Sequence, residues 1–218
     1  MFRWPTTITG IVIGNRELKV EAVIDQDALI DMVKTQHDLD HFPYGWMLWP
    51  SAIGLSNFIL HNAHRFAGKR VLELGCGVGM AGVAAAIAGG IVTQTDYLDG
   101  ALELASRNAS LNGVTTAACL GDWRDFPEAL IESADIVIGT DILYERAMHP
   151  NLKELLPMFT KRGVPVIIAD PIRPQALDAL GHWEHDLFHV EHQFVDVSWD
   201  SATKSIWIVE LTSARSKA

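Results

Sequence analysis

Cysteine is nearly absent: Cys76 and Cys119 are the two in 218 residues. Each sits in an apolar or glycine-rich stretch with no CxxC pair, so a disulfide framework is excluded and both read as free thiols. Long apolar runs are missing too. Nothing approaches the roughly 18 consecutive apolar residues of a membrane span, and the opening MFRWPTTITG carries no apolar core ahead of a small-residue cleavage site. A soluble, cytoplasmic protein is the expectation. Positive charge is scarce, with 17 Lys and Arg against 27 Asp and Glu, a formal net charge of −10. Such a chain lacks the electrostatic footprint that binds a phosphate backbone, which argues against nucleic acid, whereas an amine or a basic protein patch is tolerated or attracted.

What is present suits one globular core: 49% hydrophobic and 20% charged residues, with no linker, repeat or low-complexity tract. We divide the chain into an N-terminal extension over 1–50 and a main body over 51–218. In the extension, Ile8 to Ile13 and Leu18 to Ile24 read as a β-hairpin around Gly14-Asn15-Arg16-Glu17. Gln26 to Val33 has helical apolar spacing. The aromatic, proline-broken DLDHFPYGWMLWP, ending at Pro50, is too apolar for a solvated loop and is expected to cover something.

From Ser51, read as the cap of a helix running through Asn62, strands and helices alternate. Strands are expected at Arg70 to Leu74, Ile91 to Thr95, Thr116 to Leu120, Ala134 to Ile138 and Val164 to Ala169. Helices are expected at Met80 to Ala88, Gly100 to Asn112 and Asn151 to Thr160. This is the pattern of an α/β, mostly parallel, doubly wound sheet of Rossmann-like type. Phe188 to Trp199 and Lys204 to Leu211 should close it as a C-terminal antiparallel hairpin.

VLELGCGVGMAG places Gly75, Gly77 and Gly79 at a strand-to-helix turn, where missing side chains let a ligand approach the backbone. The spacing is G-x-G-x-G rather than the dinucleotide G-x-G-x-x-G. Glu73, two residues ahead, would repel a pyrophosphate and suit a ligand carrying an amino group. Asp96, at the end of the next strand, can accept both hydroxyls of a ribose. A nucleoside with a cationic appendage fits these residues better than NAD.

Glu73 to Gly79, Asp96 and Gly121-Asp122-Trp123 resemble the seven-β-strand methyltransferases that use S-adenosylmethionine. Trp49-Pro50-Ser51-Ala52 and the D-x-x-Y of Asp141 to Tyr144 are similar to the subgroup that methylates lysines of non-histone proteins. Asp170-Pro171-Ile172-Arg173-Pro174-Gln175 resembles the electron-transfer-flavoprotein β-subunit lysine methyltransferase branch. The resemblance implies that Glu73 and Gly75 line the methionine part of the cofactor, that Gly77, Gly79 and the backbone N–H of Cys76 belong to the same cofactor site, and that Asp96, with Tyr97 beside it, holds the ribose. Asp122 and Trp123 would border the adenine, Trp49 would close over the cofactor, and Thr140 would bind it as well.

Asp141 falls just past the fourth core strand, where ligands of open parallel sheets bind. There it either caps the following helix or, with Tyr144, meets an amine acceptor and takes the catalytic role. Tyr44 and Trp46 either complete a lid against substrate or cover the sheet; Asp170 and Arg173 either touch substrate or form an ion pair. The acceptor is a protein lysine, a small amine, or, should the fold be a scaffold only, nothing. HWEHDLFHVEH holds His182, His185, His189 and His192, which a helix would bring to one face as metal ligands. The strand-like second half separates them instead, so no metal is assigned.

Overall fold

The computed structural model describes residues 5–23, 34–35, 44–184 and 187–214. The helix expected over 26–33 lies outside the described residues. Strand β1 (Thr7–Ile13) and β2 (Arg16–Ala22) pair antiparallel through a two-residue turn at Gly14 and Asn15, shorter than expected, with Gly14 at φ 59. Alternation along β2 buries Leu18, Val20 and Ala22.

The outer edge of β2 is tied down by side-chain amides. On helix α4 (Asp99–Leu111), Asn108 accepts from the Glu21 N–H at 2.7 Å and donates to the Glu21 carbonyl at 3.0 Å. Asn112, at the end of that helix, does the same for Lys19. A spacing of four puts both amides on one helix face, opposite alternate residues of the strand.

Helix α1 (Pro50–His61) and a short turn of helix, α2 (Ala63–Phe66), lead into the main sheet. Proline occupies the first helical position, which makes Trp49 the cap and puts Ser51 inside the buried first turn rather than at the cap. There follow β3 (Arg70–Leu74), α3 (Met80–Ile87), β4 (Ile91–Asp96), α4, β5 (Ala117–Leu120), α5 (Glu128–Ser133), β6 (Ile136–Thr140), α6 (His149–Thr160), β7 (Val166–Asp170), α7 (Pro174–Glu184), β8 (Phe188–Trp199) and β9 (Ala202–Ser213). The strand order is β5-β4-β3-β6-β7-β9-β8, parallel through β7 and antiparallel across β9 and β8. The doubly wound sheet and the terminal hairpin are therefore as read from the sequence.

Residues from α1, α3 and α4 pack with Val71, Ile138 and Ile167 on one face. Residues from α5, α6 and α7 pack with Leu72, Leu74 and Val137 on the other. The order in which strands are added reverses between β3 and β6, which run parallel and side by side although they are separated in sequence. That reversal opens a crevice beyond their carboxyl ends.

Candidate functional site

The crevice is a cleft of about 580 Å³ lined from the ends of β3, β4 and β6, the loop after β5, and the aromatic segment before α1. Gly75 and Gly77 are in the left-handed region at φ 60 and 51. A Cβ on Gly75 would come within 3.0 Å of the Trp123 ring, and one on Gly77 within 3.0 Å of the Gly45 carbonyl oxygen. Bare backbone at both positions is what keeps the cleft open. Cys76 lines it between them, and its N–H donates to the Thr95 carbonyl at 2.8 Å.

Two members of the motif are elsewhere. Gly79 begins α3 from behind the loop, where a Cβ would meet Gln94 Nε2 at 2.5 Å and the Ala105 side chain at 2.6 Å; it is a packing glycine and does not line the cleft. Glu73 is 1% exposed and also absent from the lining. Side chains alternate along β3, so Glu73 shares the face of Val71 and points under α3. Its carboxylate accepts from Gln94 Nε2 at 2.7 Å and from the Gly82 N–H. Burial raises its pKa to about 7 against these two hydrogen bonds. The expected direct contact with the methionine part is thus corrected to a place behind the loop.

Asp96 ends β4, 6% exposed, and lines the cleft. One oxygen accepts from the Gly77 N–H at 3.0 Å and the other from the Leu98 N–H at 3.1 Å, so the carboxylate is fixed while lone pairs remain. Burial raises its pKa and those N–H groups oppose the rise. Tyr97 is 61% exposed at the rim. Asp122 and Trp123 form the wall after β5; the Arg124 guanidinium pairs with Asp122 and holds its pKa below the usual range. Thr140, the last residue of β6, lines the cleft as well.

Asp141 follows at φ 55, its N–H bonded to the Ala169 carbonyl at 2.9 Å. It caps no helix. Its Oδ1 accepts from Ser51 Oγ at 3.2 Å and from Arg173 Nη1, whereas its buried Oδ2 has no hydrogen-bond partner among the described residues. Burial lifts its pKa to about 6, against the pull of Arg173 and Ser51. Tyr144 stands on the same wall with its ring 5.7 Å from that of Tyr44, which lies 6.4 Å from Trp49; all three line the cleft. Burial raises the Tyr144 phenol pKa, so it remains protonated.

Of the residues assigned to substrate, Tyr44 and Arg173 reach the cleft. Trp46 turns away to cover Gly100 at the start of α4, where a Cβ would touch its ring at 2.7 Å. Asp170 is 1% exposed behind Arg173. Ser51, Gln94, Arg124 and Gln175, which holds the Tyr144 carbonyl at 3.1 Å, were not anticipated as parts of the site; Ser51 and Gln175 lie in segments already singled out by motif. The histidine segment is divided: His182 is on α7, His189 and His192 are exposed on β8, and His185 lies outside the described residues.

A mostly parallel seven-stranded sheet with a glycine loop and an acid at its switch point, closed by an antiparallel tail hairpin, defines the Rossmann-like methyltransferase class. Solved structures share it. The Pyrococcus abyssi tRNA (uracil-54, C5)-methyltransferase in complex with S-adenosyl-L-homocysteine superposes with a TM-score of 0.59 at 17% identity, over 96% of this chain and 45% of that one. The magnesium protoporphyrin IX methyltransferase of Synechocystis does so at 0.53 and 15%, over 83% and 89%. These likenesses carry the fold alone.

Residues 31–179 match the family model described as lysine methyltransferase, and the chain belongs to that family. It is 30% identical over 138 residues to the electron transfer flavoprotein beta subunit lysine methyltransferase of Danio rerio, covering 62% of this chain and 53% of the relative. It is 28% identical over 144 residues to EEF1A lysine methyltransferase 3 of Xenopus tropicalis, covering 65% and 64%. The Dictyostelium discoideum histidine protein methyltransferase 1 homolog is 32% identical over 61% of this chain and 44% of its own. The matched stretch spans between 44% and 64% of the length of these curated relatives.

Proposed function

We propose that this chain is an S-adenosylmethionine-dependent methyltransferase acting on the side-chain nitrogen of a protein lysine. The observation that carries this reading is Asp141, a buried carboxylate with one oxygen unpartnered among the described residues, lining the same cleft as the bare Gly75-to-Gly77 backbone and Asp96. The cofactor fits these residues. The glycine backbone admits the amino acid part, the spare lone pairs of Asp96 suit a pair of ribose hydroxyls, and Trp123 with Asp122 supplies a wall for a base. When bound, the cofactor supplies a methyl group on a sulfonium that leaves as a neutral thioether.

The protein must then present a deprotonated nitrogen in line with that methyl group. A lysine ammonium, with a reference pKa near 10.4, favours losing its proton where it is desolvated, as against Tyr44, Trp49 and Tyr144. The Asp141 carboxylate accepts a hydrogen bond from the nitrogen and so orients its lone pair. Positioning is its first role and proton acceptance its second. The named lysine methyltransferase relatives support a protein acceptor over a free amine.

The test is incubation with labelled S-adenosylmethionine and lysate from a strain lacking this chain, followed by separation of protein from metabolites and hydrolysis. Methyl-lysine in the protein fraction is expected. Label in small molecules, or on histidine or arginine, would replace the acceptor, and absence of saturable cofactor binding by calorimetry would overturn the reading altogether. Asp141→Asn should bind cofactor within about threefold of wild type yet transfer at least about 100-fold more slowly.

A further inference from the structure

Asp141 is one end of a chain of three charged side chains. Arg173 Nη1 donates both to Oδ1 of Asp141 and, at 3.1 Å, to Oδ2 of Asp170. Asp170 ends β7 fully buried, and its Oδ1 also accepts the Arg173 backbone N–H at 2.6 Å. Between them Ile172 is forced to φ 65, a region that a β-branched residue enters only when its surroundings demand it. The turn from Asp170 to Arg173 therefore bears backbone strain and returns the guanidinium to the cleft. The other groups facing Asp141 are the Ser51 hydroxyl from α1, which adds to Oδ1, and Tyr144 from its own loop, which lines the same cleft.

We propose that Arg173, braced by Asp170, is a positioning residue for methyl transfer: by holding Oδ1 of Asp141 it fixes the carboxylate in one orientation at the wall of the cleft. This rests on the reading of Asp141 proposed above. A carboxylate free to rotate would offer the nitrogen several directions, and the lone pair would not be held in line with the methyl group. Arg173 does a second thing at the same contact. Burial favours the protonated acid at Asp141, and a protonated Asp141 would donate to the nitrogen's lone pair and block it; the guanidinium opposes that. Asp170 in turn keeps Arg173 from swinging out to solvent, and the trio carries a single net negative charge for the incoming ammonium to meet.

The test reads the carboxyl itself, by carbon-13 NMR of the full chain labelled at aspartate carboxyls, with the resonance assigned from Asp141→Asn. In the wild type the Arg173 guanidinium nitrogen signals should move with the Asp141 titration. In Arg173→Gln the Asp141 midpoint should climb by about one pH unit or more, about a tenfold change in proton affinity, and Arg173→Lys should recover most of it. Guanidinium signals that ignore the Asp141 titration, or an unmoved midpoint in folded Arg173→Gln, overturn the proposal. The wild-type measurement decides it even if Arg173→Gln does not fold. Cofactor binding by calorimetry reports separately on the proposed function.

Discussion

Glu73→Gln should make the protein more stable relative to wild type as pH rises. Burial holds the Glu73 pKa at about 7 in the folded chain, against an ordinary 4.5, because its carboxylate is sealed beneath α3 with the Gln94 amide and the Gly82 N–H as partners and, among the described residues, no cation beside it. A raised folded pKa means that the folded state binds the proton more tightly than the unfolded one. The stabilisation from that proton is complete below the unfolded pKa and is lost as pH climbs through the folded one. The gap from 4.5 to about 7 corresponds to a loss of roughly 3 kcal/mol, at about 1.4 kcal/mol per pH unit, for a fully buried group. Glutamine of the same shape has no proton to lose. Urea unfolding of both proteins at intervals from about pH 4 to about pH 8 should therefore show the difference in free energy, variant minus wild type, rising by about 3 kcal/mol and levelling off above pH 7. Any constant offset from altered hydrogen bonding drops out of that comparison. A difference that stays flat with pH would mean that Glu73 ionises alike in both states and would refute its placement behind the loop.

Gly75→Ala and Gly79→Ala should fail in different ways, since a Cβ at the first meets the Trp123 ring in the cleft and at the second meets Gln94 and Ala105 under α3. Gly79→Ala is expected to cost about 2–3 kcal/mol in urea unfolding through overpacking and its left-handed backbone. Gly75→Ala should cost about 1–2 kcal/mol and weaken S-adenosylmethionine binding by calorimetry tenfold or more; equal stability losses with equal affinities would contradict the assignment. Asn108→Ala removes an amide that is 1% exposed and bonded to both backbone groups of Glu21 and to the Val78 carbonyl. The expected loss is about 1–3 kcal/mol, with faster hydrogen exchange at the Glu21 amide than at strands of the main sheet; unchanged exchange there would show that the hairpin does not depend on α4.

Periodicity and punctuation made most of the fold legible, and they failed where a distant partner decides. Arg70 to Leu74 was placed to the residue because an apolar run between two turns has nowhere else to go, and Phe188 to Trp199 likewise. The strand before Asp141 was expected two residues early, at Ala134 to Ile138; Asp135 is drawn to Arg70 by its backbone N–H and by a side-chain ion pair, so β6 begins at Ile136 and runs to Thr140. That shift puts Asp141 directly after the strand's last residue, in the crevice. Ser51 was misread by a rule with a stronger competitor: proline prefers the first helical position, so Trp49 becomes the cap and the serine hydroxyl is freed for Asp141, 90 residues away. The alternation of β3 says that Glu73 lies opposite Leu72 and Leu74, but not which face of the sheet carries α3. Trp46 shows the same limit from the other side. Tyr44 and Trp46 share one turn and one aromatic character, and what separates a cleft residue from a covering one is the missing side chain of Gly100, a hole that only the folded chain reveals.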